Sequence, residues 1–291
     1  MREGGTATRS SRRARIGRWL SPAVMVTVLF APAAAAGEEP PPRKTFREAS
    51  RTFFDDGAYL FTFPKRTTPK GVWLTAGVVA GTLLLVQQDD AIRAHVPDPP
   101  DTAGADHVAD VLEPLGRTYI EAAALGIVYA TARGTGHPRA MSTAATAFEA
   151  WLWTVVITSG AKVAFGRAKP TGAAEAHDFF VGETIFPSGH TSRSFAIAAV
   201  FADHYGPKAA WFAYPLAALI GLSTVRQDSH WTSDVLAGAG LGLAIGKGIA
   251  HRHPVSAPAP ASSPEPGAPS GARAAWRIAP GAGGVMVTIA Y

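Results

Sequence analysis

The chain has 291 residues, of which 47% are hydrophobic and 17% charged, and this composition is more apolar than that of an average soluble domain. It indicates a membrane or membrane-associated protein, while the absence of cysteine excludes disulfides, thiolate metal sites and cysteine nucleophiles. Six of the 27 basic residues but one of the 22 acidic residues lie within residues 1–36, so the rest of the chain is formally neutral. A neutral body lacks the broad basic face that phosphate-backbone binding needs, which excludes nucleic acid as a partner.

The first 36 residues have the layout of a secretory signal peptide. An Arg-rich stretch is followed by an apolar run from Trp19 to Phe30 and by an Ala-rich end before Gly37. We expect cleavage near Ala36, with an uncleaved N-terminal anchor as the alternative. Residues 37–70 then form a Pro-rich spacer and a mixed aromatic and charged segment suited to a membrane surface.

Six apolar segments follow within residues 71–253, and we predict that they form one all-α, six-helix bundle. Their bounds are Val72–Val86, Tyr119–Thr131, Ala144–Phe165, Ser194–Tyr205, Ala209–Leu222 and Val235–Ala250. An integral membrane domain is the first expectation. Several segments are shorter than the ~20 apolar residues that an isolated span requires, so a soluble bundle is the alternative.

The charges of the connecting loops predict an orientation, because Lys and Arg in short loops favour the cytoplasmic side. They place the connections after the first, third and fifth segments outside. We therefore predict a bacterial-type inner-membrane protein with its active site on the periplasmic side. A cleaved signal would start the mature chain outside and reverse this orientation. The loop charges and the signal-like leader agree if the N-terminus stays inside, or if a soluble body is exported whole to the periplasm.

The C-terminal region has two parts. Residues 254–275 are dominated by Pro, Ala, Ser and Gly and predict a flexible linker. Residues 276–291 place two apolar runs on either side of a Gly-rich turn, which predicts a short β-hairpin. The alternative is a disordered end, since an isolated hairpin is marginal in water.

The third apolar segment ends with two lysines, Lys162 and Lys169, before Pro170. On a helix, seven residues span close to two turns, so both lysines can share one face. Pro170 disfavours helix at Lys169 and places it near the helix end, where irregular backbone can admit an anion. Basic residues beside an apolar helix also serve as interfacial anchors, so this pair alone does not define a site.

The fourth segment follows Pro-Ser188-Gly189-His190-Thr191. Ser188 or Thr191 can cap a helix whose first amide groups point at an anion above them. Gly189 lets the backbone come close to a ligand, and His190 can supply a proton to a leaving alkoxide.

The sixth segment follows a stretch in which His230 and Asp234 stand four residues apart. If the stretch is helical, the two side chains stack on one face. The carboxylate then holds the imidazole in one tautomer with its other nitrogen free, which prepares a nucleophilic histidine.

Together these elements resemble the type-2 phosphatidic acid phosphatase and vanadium-dependent haloperoxidase superfamily over roughly residues 70–250. The family pattern is lysine, six residues, arginine-proline; then proline-serine-glycine-histidine; then serine-arginine, five residues, histidine, three residues, aspartate. The resemblance implies that His190 protonates the leaving group, that His230 attacks phosphorus to form a phosphohistidine, and that Asp234 orients His230.

The same resemblance implies a phosphate-binding half made by Lys162, Ser188 and the amide of Gly189. This half departs from the family pattern at two positions. Lys169 replaces an arginine, which keeps charge but loses a planar two-pronged donor. Thr224 replaces the other arginine, so one cation of the family site is missing.

Two nearby arginines, Arg226 and Arg167, are candidates for the missing guanidinium. Phosphoryl transfer depends mainly on positioning and on charge stabilisation around the phosphoryl oxygens. Losing one such donor typically costs about 10²–10³ in rate, which predicts a slow enzyme rather than a dead one.

We therefore predict a metal-independent phosphatase without a cofactor, acting on a lipid phosphate or pyrophosphate or on another phosphorylated small molecule at a membrane. A weakly active or non-catalytic membrane protein, favoured by Thr224, is one alternative. A vanadate-dependent haloperoxidase with His230 as the vanadate ligand is the other. The sequence shows no close cluster of carboxylates and histidines that resembles a two-metal phosphatase.

Overall fold

The structure of the protein is a computed structural model that describes residues 45–62, 66–96, 103–171 and 175–255, and the backbone of 275–281 and 284–290. The chain divides into two compact units, residues 1–256 and 257–291. The expectations for the leader (1–36) and for nearly all of the linker (254–275) concern residues outside the described ranges and stay predictions.

Within its described residues, the first unit consists of eight α-helices and one short 3-10 turn. In chain order they are α1 (Phe46–Phe61), α2 (Pro69–His95), α3 (Ala103–Leu112), the 3-10 turn (Glu113–Gly116), α4 (Thr118–Gly134), α5 (Pro138–Phe165), α6 (Gly189–Tyr205), α7 (Pro207–Arg226) and α8 (Thr232–Arg252).

Local sequence signals explain where these helices begin and end. The Thr68 hydroxyl accepts a hydrogen bond from the Gly71 amide at 3.2 Å, and Pro69 occupies the first position of α2. Both features favour a helix start. A C-terminal signal is seen in α5, which ends because Gly166 adopts a φ of 50°, the left-handed conformation that commonly terminates helices.

Four helices, α2, α5, α7 and α8, are long and apolar enough to cross a membrane. All six predicted apolar segments are helical, as α2 and α4 to α8, but α4 and α6 have 17 residues each and are short for a span. The all-helical class is thus confirmed, and the four long apolar helices support a membrane protein. The count of six is not confirmed, because α1 and α3 are also helices.

The centre of the bundle is a close contact between α6 and α8. Gly238, Gly242 and Gly246 repeat every four residues and form a glycine seam on the face of α8 that meets α6. A Cβ added to Gly238 would lie 2.7 Å from the carbonyl oxygen of Ser188, and one added to either of the other two would lie still closer to a backbone oxygen of α6. Small residues at such contacts let two helix backbones approach directly. The seam therefore fixes the spacing of α6 and α8 by backbone contact.

The hydrophobic core surrounds this contact and brings in α4 and α5. Its fully or nearly fully buried members are Leu125, Ala147, Ala150, Trp151, Trp153, Ala196, Val200, Phe201, Ile245, Ile249 and Ala250.

An ion-pair cluster attaches α1 to the C-terminal end of α8. The buried carboxylate of Asp56 accepts a hydrogen bond from Nε of Arg252 and lies 2.6 Å from Nε2 of His253. Glu149 of α5 joins the cluster, 3.6 Å from the same imidazole nitrogen. Because α8 rises about 1.5 Å per residue, this cluster lies about 30 Å from the beginning of α8. The arginine offsets the charge of the carboxylates, so we interpret the cluster as an attachment of α1.

The second unit contains two strands, β1 (Ala275–Gly281) and β2 (Gly284–Ala290), paired antiparallel with Trp276 opposite Ile289. Whether residues 276–291 form a stable hairpin by themselves stays a prediction.

Candidate active site

The three sequence motifs meet at one end of the helical bundle. Lys162 lies in the last turn of α5, Gly189 begins α6, and His230 lies in the turn between α7 and α8. The second and third motifs are joined through the backbone, because the Ser188 amide donates a hydrogen bond to the Asp234 carbonyl at 3.0 Å. Residues far apart in sequence therefore form one site.

His230 and Asp234 form a buried pair, but not by the helical spacing that the sequence predicts. Helix α8 begins at Thr232, so His230 lies in the turn before it. Its Nδ1 is 3.3 Å from Oδ2 of Asp234, which leaves Nε2 as the nitrogen able to face a ligand. Burial lowers the pKa of His230 below its ordinary value of 6.5, and the hydrogen bond with Asp234 opposes this shift. The imidazole is therefore neutral at neutral pH.

Arg167 lies behind this pair and is fully buried. Its Nη1 donates to Oδ1 of Asp234 and to Oγ of Ser233, its Nη2 donates to Oδ2 of Asp89 at 2.9 Å, and its Nε and Nη2 donate to the carbonyl of Ala176. A guanidinium has five N–H donors, and these contacts use them all. The structure thus places this candidate phosphate ligand against protein acceptors instead.

Asp89 of α2 completes the buried network and was not singled out by the sequence. It is 1% exposed, pairs with Arg167 and accepts a hydrogen bond from the Ser233 amide at 3.0 Å. From α2 to the site, a chain of contacts therefore runs from Asp89 to Arg167, then to Asp234 and finally to His230. Both carboxylates pair with Arg167 and accept further hydrogen bonds, as buried charges require.

His190 faces His230 from the first turn of α6. The two ring centroids are 6.4 Å apart, with the ring planes at 66°. Nε2 of His190 is 3.2 Å from Oε1 of Glu113 in the 3-10 turn, a neighbour that sequence reasoning missed. Burial, and next the positive charge of Arg193, lower the pKa of His190 to about 4, while Glu113 opposes the shift. An anion bound between the rings would favour the protonated form.

The two lysines do not share a helix face, because α5 ends before Lys169, which lies in the following loop. Nζ of Lys162 donates to the carbonyl of Thr184 at 2.7 Å, and its Cε lies 3.6 Å from the position that a Cβ on Gly189 would occupy. Lys169 is exposed. The charges of both lysines nevertheless help to lower the pKa of His230, after the larger effect of burial.

Ser188 caps α6, as the sequence predicts. Its hydroxyl accepts from the amide of Thr191 at 3.4 Å and from the Thr191 hydroxyl at 3.0 Å, and the residue is fully buried. The side chain therefore supports the helix start and does not face solvent. The amides of Gly189 and His190 belong to the first turn, whose N–H groups have no partner within the helix and suit an anion.

The two positions discussed for the missing cation have other partners. The hydroxyl of Thr224 is fully buried and donates to the Gly221 carbonyl of its own helix at 2.6 Å. Nε of Arg226 donates to Oδ1 of Asp106 on α3 at 2.7 Å. Arg226 is thus directed towards α3.

A third arginine, Arg193 on α6, enters the site and was missed by the sequence analysis. Its Nε donates to Oε2 of Glu121 and its Nη2 to the Gly116 carbonyl, both at 2.7 Å. Its remaining nitrogen, Nη1, lies 2.8 Å from the position that a Cβ on Gly189 would occupy, beside the end of Lys162. The available signal was a charged residue in the second turn of a helix that carries no other Lys, Arg, Asp or Glu until Asp203, which in membrane segments is a functional hypothesis by default.

The geometry defines a class of site: two facing imidazoles, one of them held by a carboxylate, over a helix N-terminus flanked by a lysine and an arginine. Residues 143–256, which contain this arrangement, match the family model of the PAP2 superfamily. This match confirms that the region resembles the type-2 phosphatidic acid phosphatase superfamily, as the motifs indicate.

The chain is also similar to the lipid A 1-phosphatase of Porphyromonas gingivalis, with 35% identity over 94 residues. This match covers 31% of the present chain and 19% of that relative. No solved structure matches the chain.

Proposed function

We propose that the protein hydrolyses a phosphate monoester or pyrophosphate of a membrane lipid through a phosphohistidine on His230. The observation that carries this proposal is the pair of imidazoles 6.4 Å apart at the first turn of α6. A phosphoryl group between the rings meets a neutral nucleophile on one side and a proton donor on the other. The helix N-terminus and the lysine at the end of α5 supply the compensating positive charge.

In the first step, Nε2 of neutral His230 attacks phosphorus and the bond from phosphorus to the leaving oxygen breaks. The proton on His190 passes to that oxygen, which leaves as an alcohol or a phosphate. The negative charge of the bound substrate keeps His190 protonated for this transfer. Asp234 stabilises the positive charge that forms on the His230 ring.

In the second step, His190 accepts a proton from water as the water attacks the phosphohistidine. The bond between phosphorus and His230 breaks, inorganic phosphate forms, and both imidazoles return to their initial states. Arg167 and Asp89 hold Asp234 in place throughout, which is how partners behind a catalytic group fix its orientation.

We further propose that Arg193 supplies the guanidinium that is missing because Thr224 stands at the position of a family arginine. Its Nε and Nη2 are held by Glu121 and Gly116, so Nη1 is fixed 2.8 Å from the position that a Cβ on Gly189 would occupy, without a further loss of side-chain freedom. A guanidinium held in this way is a preorganised donor for phosphoryl oxygens. This assignment favours an active enzyme over a decayed site.

A lipid substrate is supported by two observations. The site lies at the ends of helices that are long and apolar enough to span a membrane, and the relative described above is named for action on lipid A. The loop charges further favour the extracytoplasmic face for this end of the bundle.

The test is phosphate release by the purified full chain, with and without chelator, from phosphatidic acid, isoprenyl pyrophosphate and p-nitrophenyl phosphate. We expect turnover that the chelator leaves unchanged and that His230→Ala abolishes, and a rapid-quench sample should carry phosphate on His230. Turnover by the His230→Ala variant would rule out the mechanism. Loss of turnover with chelator would rule out metal independence.

A further inference from the structure

The 3-10 turn Glu113–Gly116 packs against one edge of the His190 ring. A Cβ added to Gly116 would lie 2.8 Å from Cδ2 of that ring. Nε2, the ring atom bonded to Cδ2, is 3.2 Å from Oε1 of Glu113. The edge formed by Cδ2 and Nε2 therefore faces the turn. Nδ1 lies on the opposite edge of the imidazole and is directed away from the turn.

The carboxylate of Glu113 is held in place from its other side. Arg117 donates from Nη2 to Oε2 at 2.8 Å and from Nε to Oε1 at 3.4 Å. The turn itself is fixed, because Leu112 and Leu115 pack with Ile220 in a buried cluster. The side chain of Glu113 is 13% exposed. A carboxylate held in this way on a rigid element is oriented before a substrate arrives.

Nε2 of His190 needs an acceptor when it carries a proton. In the described part of the chain this nitrogen is buried and makes no hydrogen bond of good geometry, while Oε1 of Glu113 lies within ion-pair distance. Contacts of catalytic groups often become short and aligned only when a substrate is bound. A proton on Nε2 is therefore directed at Glu113.

The charge of Glu113 also acts on the protonation of His190. The charged or titratable groups that face this ring are Arg193 of the same helix, Lys162, His230 and Glu113. Burial has the largest effect and lowers the pKa of His190, and the first three of these neighbours lower it further. Glu113 acts in the opposite direction, because a nearby negative charge favours the protonated imidazole.

We propose that Glu113 is a positioning residue for His190, holding its Nε2–H so that Nδ1 exchanges the proton with the leaving oxygen and with water. This inference rests on the proposed function. In the first step the Nδ1–H bond breaks as the leaving oxygen takes the proton, and the neutral ring keeps its other proton on Nε2. In the second step Nδ1 takes a proton from the attacking water. Each imidazole of the site then has its own carboxylate, Asp234 for His230 and Glu113 for His190.

The proton positions on His190 are measured without turnover, by NMR of the full-length chain in detergent micelles with isotope-labelled histidine nitrogens. The His190 signals are assigned by their loss in His190→Asn. We expect the neutral ring to carry its proton on Nε2. With inorganic phosphate bound, the ring of Glu113→Gln should lose its second proton at a pH lower by about 1 or more than in the unmodified chain. A neutral ring protonated on Nδ1, or an unchanged titration in Glu113→Gln, would overturn the proposal.

The kinetic test compares two leaving groups through kcat/KM, which reports on the steps up to departure of the leaving group. The nitrophenolate of p-nitrophenyl phosphate leaves without a proton, whereas the alkoxide of phosphatidic acid needs one. A general acid typically contributes about 10²–10⁴-fold in rate. We therefore expect Glu113→Gln to lower kcat/KM for phosphatidic acid at least about tenfold more than for p-nitrophenyl phosphate.

The pH profile of kcat with phosphatidic acid gives a second kinetic readout. The reaction needs protonated His190, and removal of the carboxylate lets this proton leave at lower pH, so Glu113→Gln should shift the alkaline limb of the profile to lower pH. Asp110→Asn is the matched control. Asp110 is an exposed acid on the preceding helix α3, and its carboxylate accepts a hydrogen bond from Gln227. Its substitution should change neither the limb nor the ratio of the two substrates.

A structural role for Glu113 predicts a different result. The pair with Arg117 is partly exposed and contributes little stability, so the thermal midpoint of Glu113→Gln should match that of the unmodified chain. Equal losses with both substrates and an unshifted alkaline limb would reduce Glu113 to a partner of Arg117 and overturn the proposal. Absence of hydrolysis by the unmodified protein would instead refute the proposed function, and the NMR measurement would still decide whether Glu113 holds His190.

Discussion

The assignment of Arg193 as a phosphate ligand makes a prediction that separates it from the other arginines. Arg193→Lys keeps a positive charge beside Glu121 but removes the donor that lies 2.8 Å from the Gly189 Cβ position. Loss of one preorganised donor to the developing charge typically costs about 10²–10³ in rate, or about 2.7–4 kcal/mol. We expect kcat for p-nitrophenyl phosphate to fall within that range. Because the donor acts mainly in the transition state, KM should change little.

A structural role for Arg193 is separated from this by changing its partner. Removing one member of a buried ion pair costs about 3–5 kcal/mol, whereas replacing both members is often neutral. The double variant Arg193→Met with Glu121→Gln should therefore keep its thermal midpoint and still lose activity, while Glu121→Gln alone should stay active. Arg226→Ala should change kcat less than tenfold, since Arg226 binds Asp106 on α3. If Arg226→Ala lost activity a hundredfold and Arg193→Lys did not, our assignment would be refuted.

Three further predictions concern protonation, helix packing and the buried network. Because burial lowers the pKa of His230, formation of the phosphoenzyme in rapid-quench experiments should persist as the pH falls through 6.5 and fail only at lower pH. Loss of the phosphoenzyme with an apparent pKa above 6.5 would contradict the lowered pKa of the buried His230. Gly242→Ala should lower the thermal midpoint in detergent by several degrees, as overpacking costs about 1–3 kcal/mol, whereas Gly126→Ala, with open space around it, should not. Asp89→Asn should reduce stability by about 1–3 kcal/mol, because the buried Arg167 loses one of its two carboxylate partners and keeps Asp234. The exposed neighbour change Asp90→Asn, which keeps an oxygen for the Ala176 amide, is its control in the same unfolding assay, and equal effects would remove the special role of Asp89.

That His190, His230 and Asp234 lie together could be predicted because the signals are local in sequence. His190 belongs to a short motif at a helix start, and His230 and Asp234 stand four residues apart. Their contact survives even though His230 lies outside the helix, because the turn before α8 brings the ring back over the first helical turn. The spacing was informative, while the helical reason given for it was wrong.

The phosphate-binding half was harder to predict because it depends on contacts between distant segments. Arg167 is close to Lys162 in sequence, but the left-handed Gly166 turns the chain inward and directs the guanidinium to Asp89, 78 residues away. Arg193 meets Glu121, which is 72 residues away. Sequence proximity could suggest an arginine near the site, but not which arginine faces it.

The helices likewise divide into those that the sequence predicted and those that it did not. Apolar runs identified all six segments that become α2 and α4 to α8. The search for apolar runs did not identify α1, in which apolar and charged residues are mixed, or the short α3. Neither helix has the long apolar stretch on which the prediction relied.

The glycine seam between α6 and α8 has a consequence for the chemistry. His190 stands at the first turn of one of these helices, and His230 immediately precedes the other. Backbone atoms do not change rotamer, so the gap between the proposed nucleophile and the proposed proton donor is set by a rigid spacer, while side chains could adapt to their surroundings. Lipids that alter the thickness or fluidity of the bilayer would then bend or tilt α6 and α8 together as one body, and the rings of His190 and His230 would keep their separation.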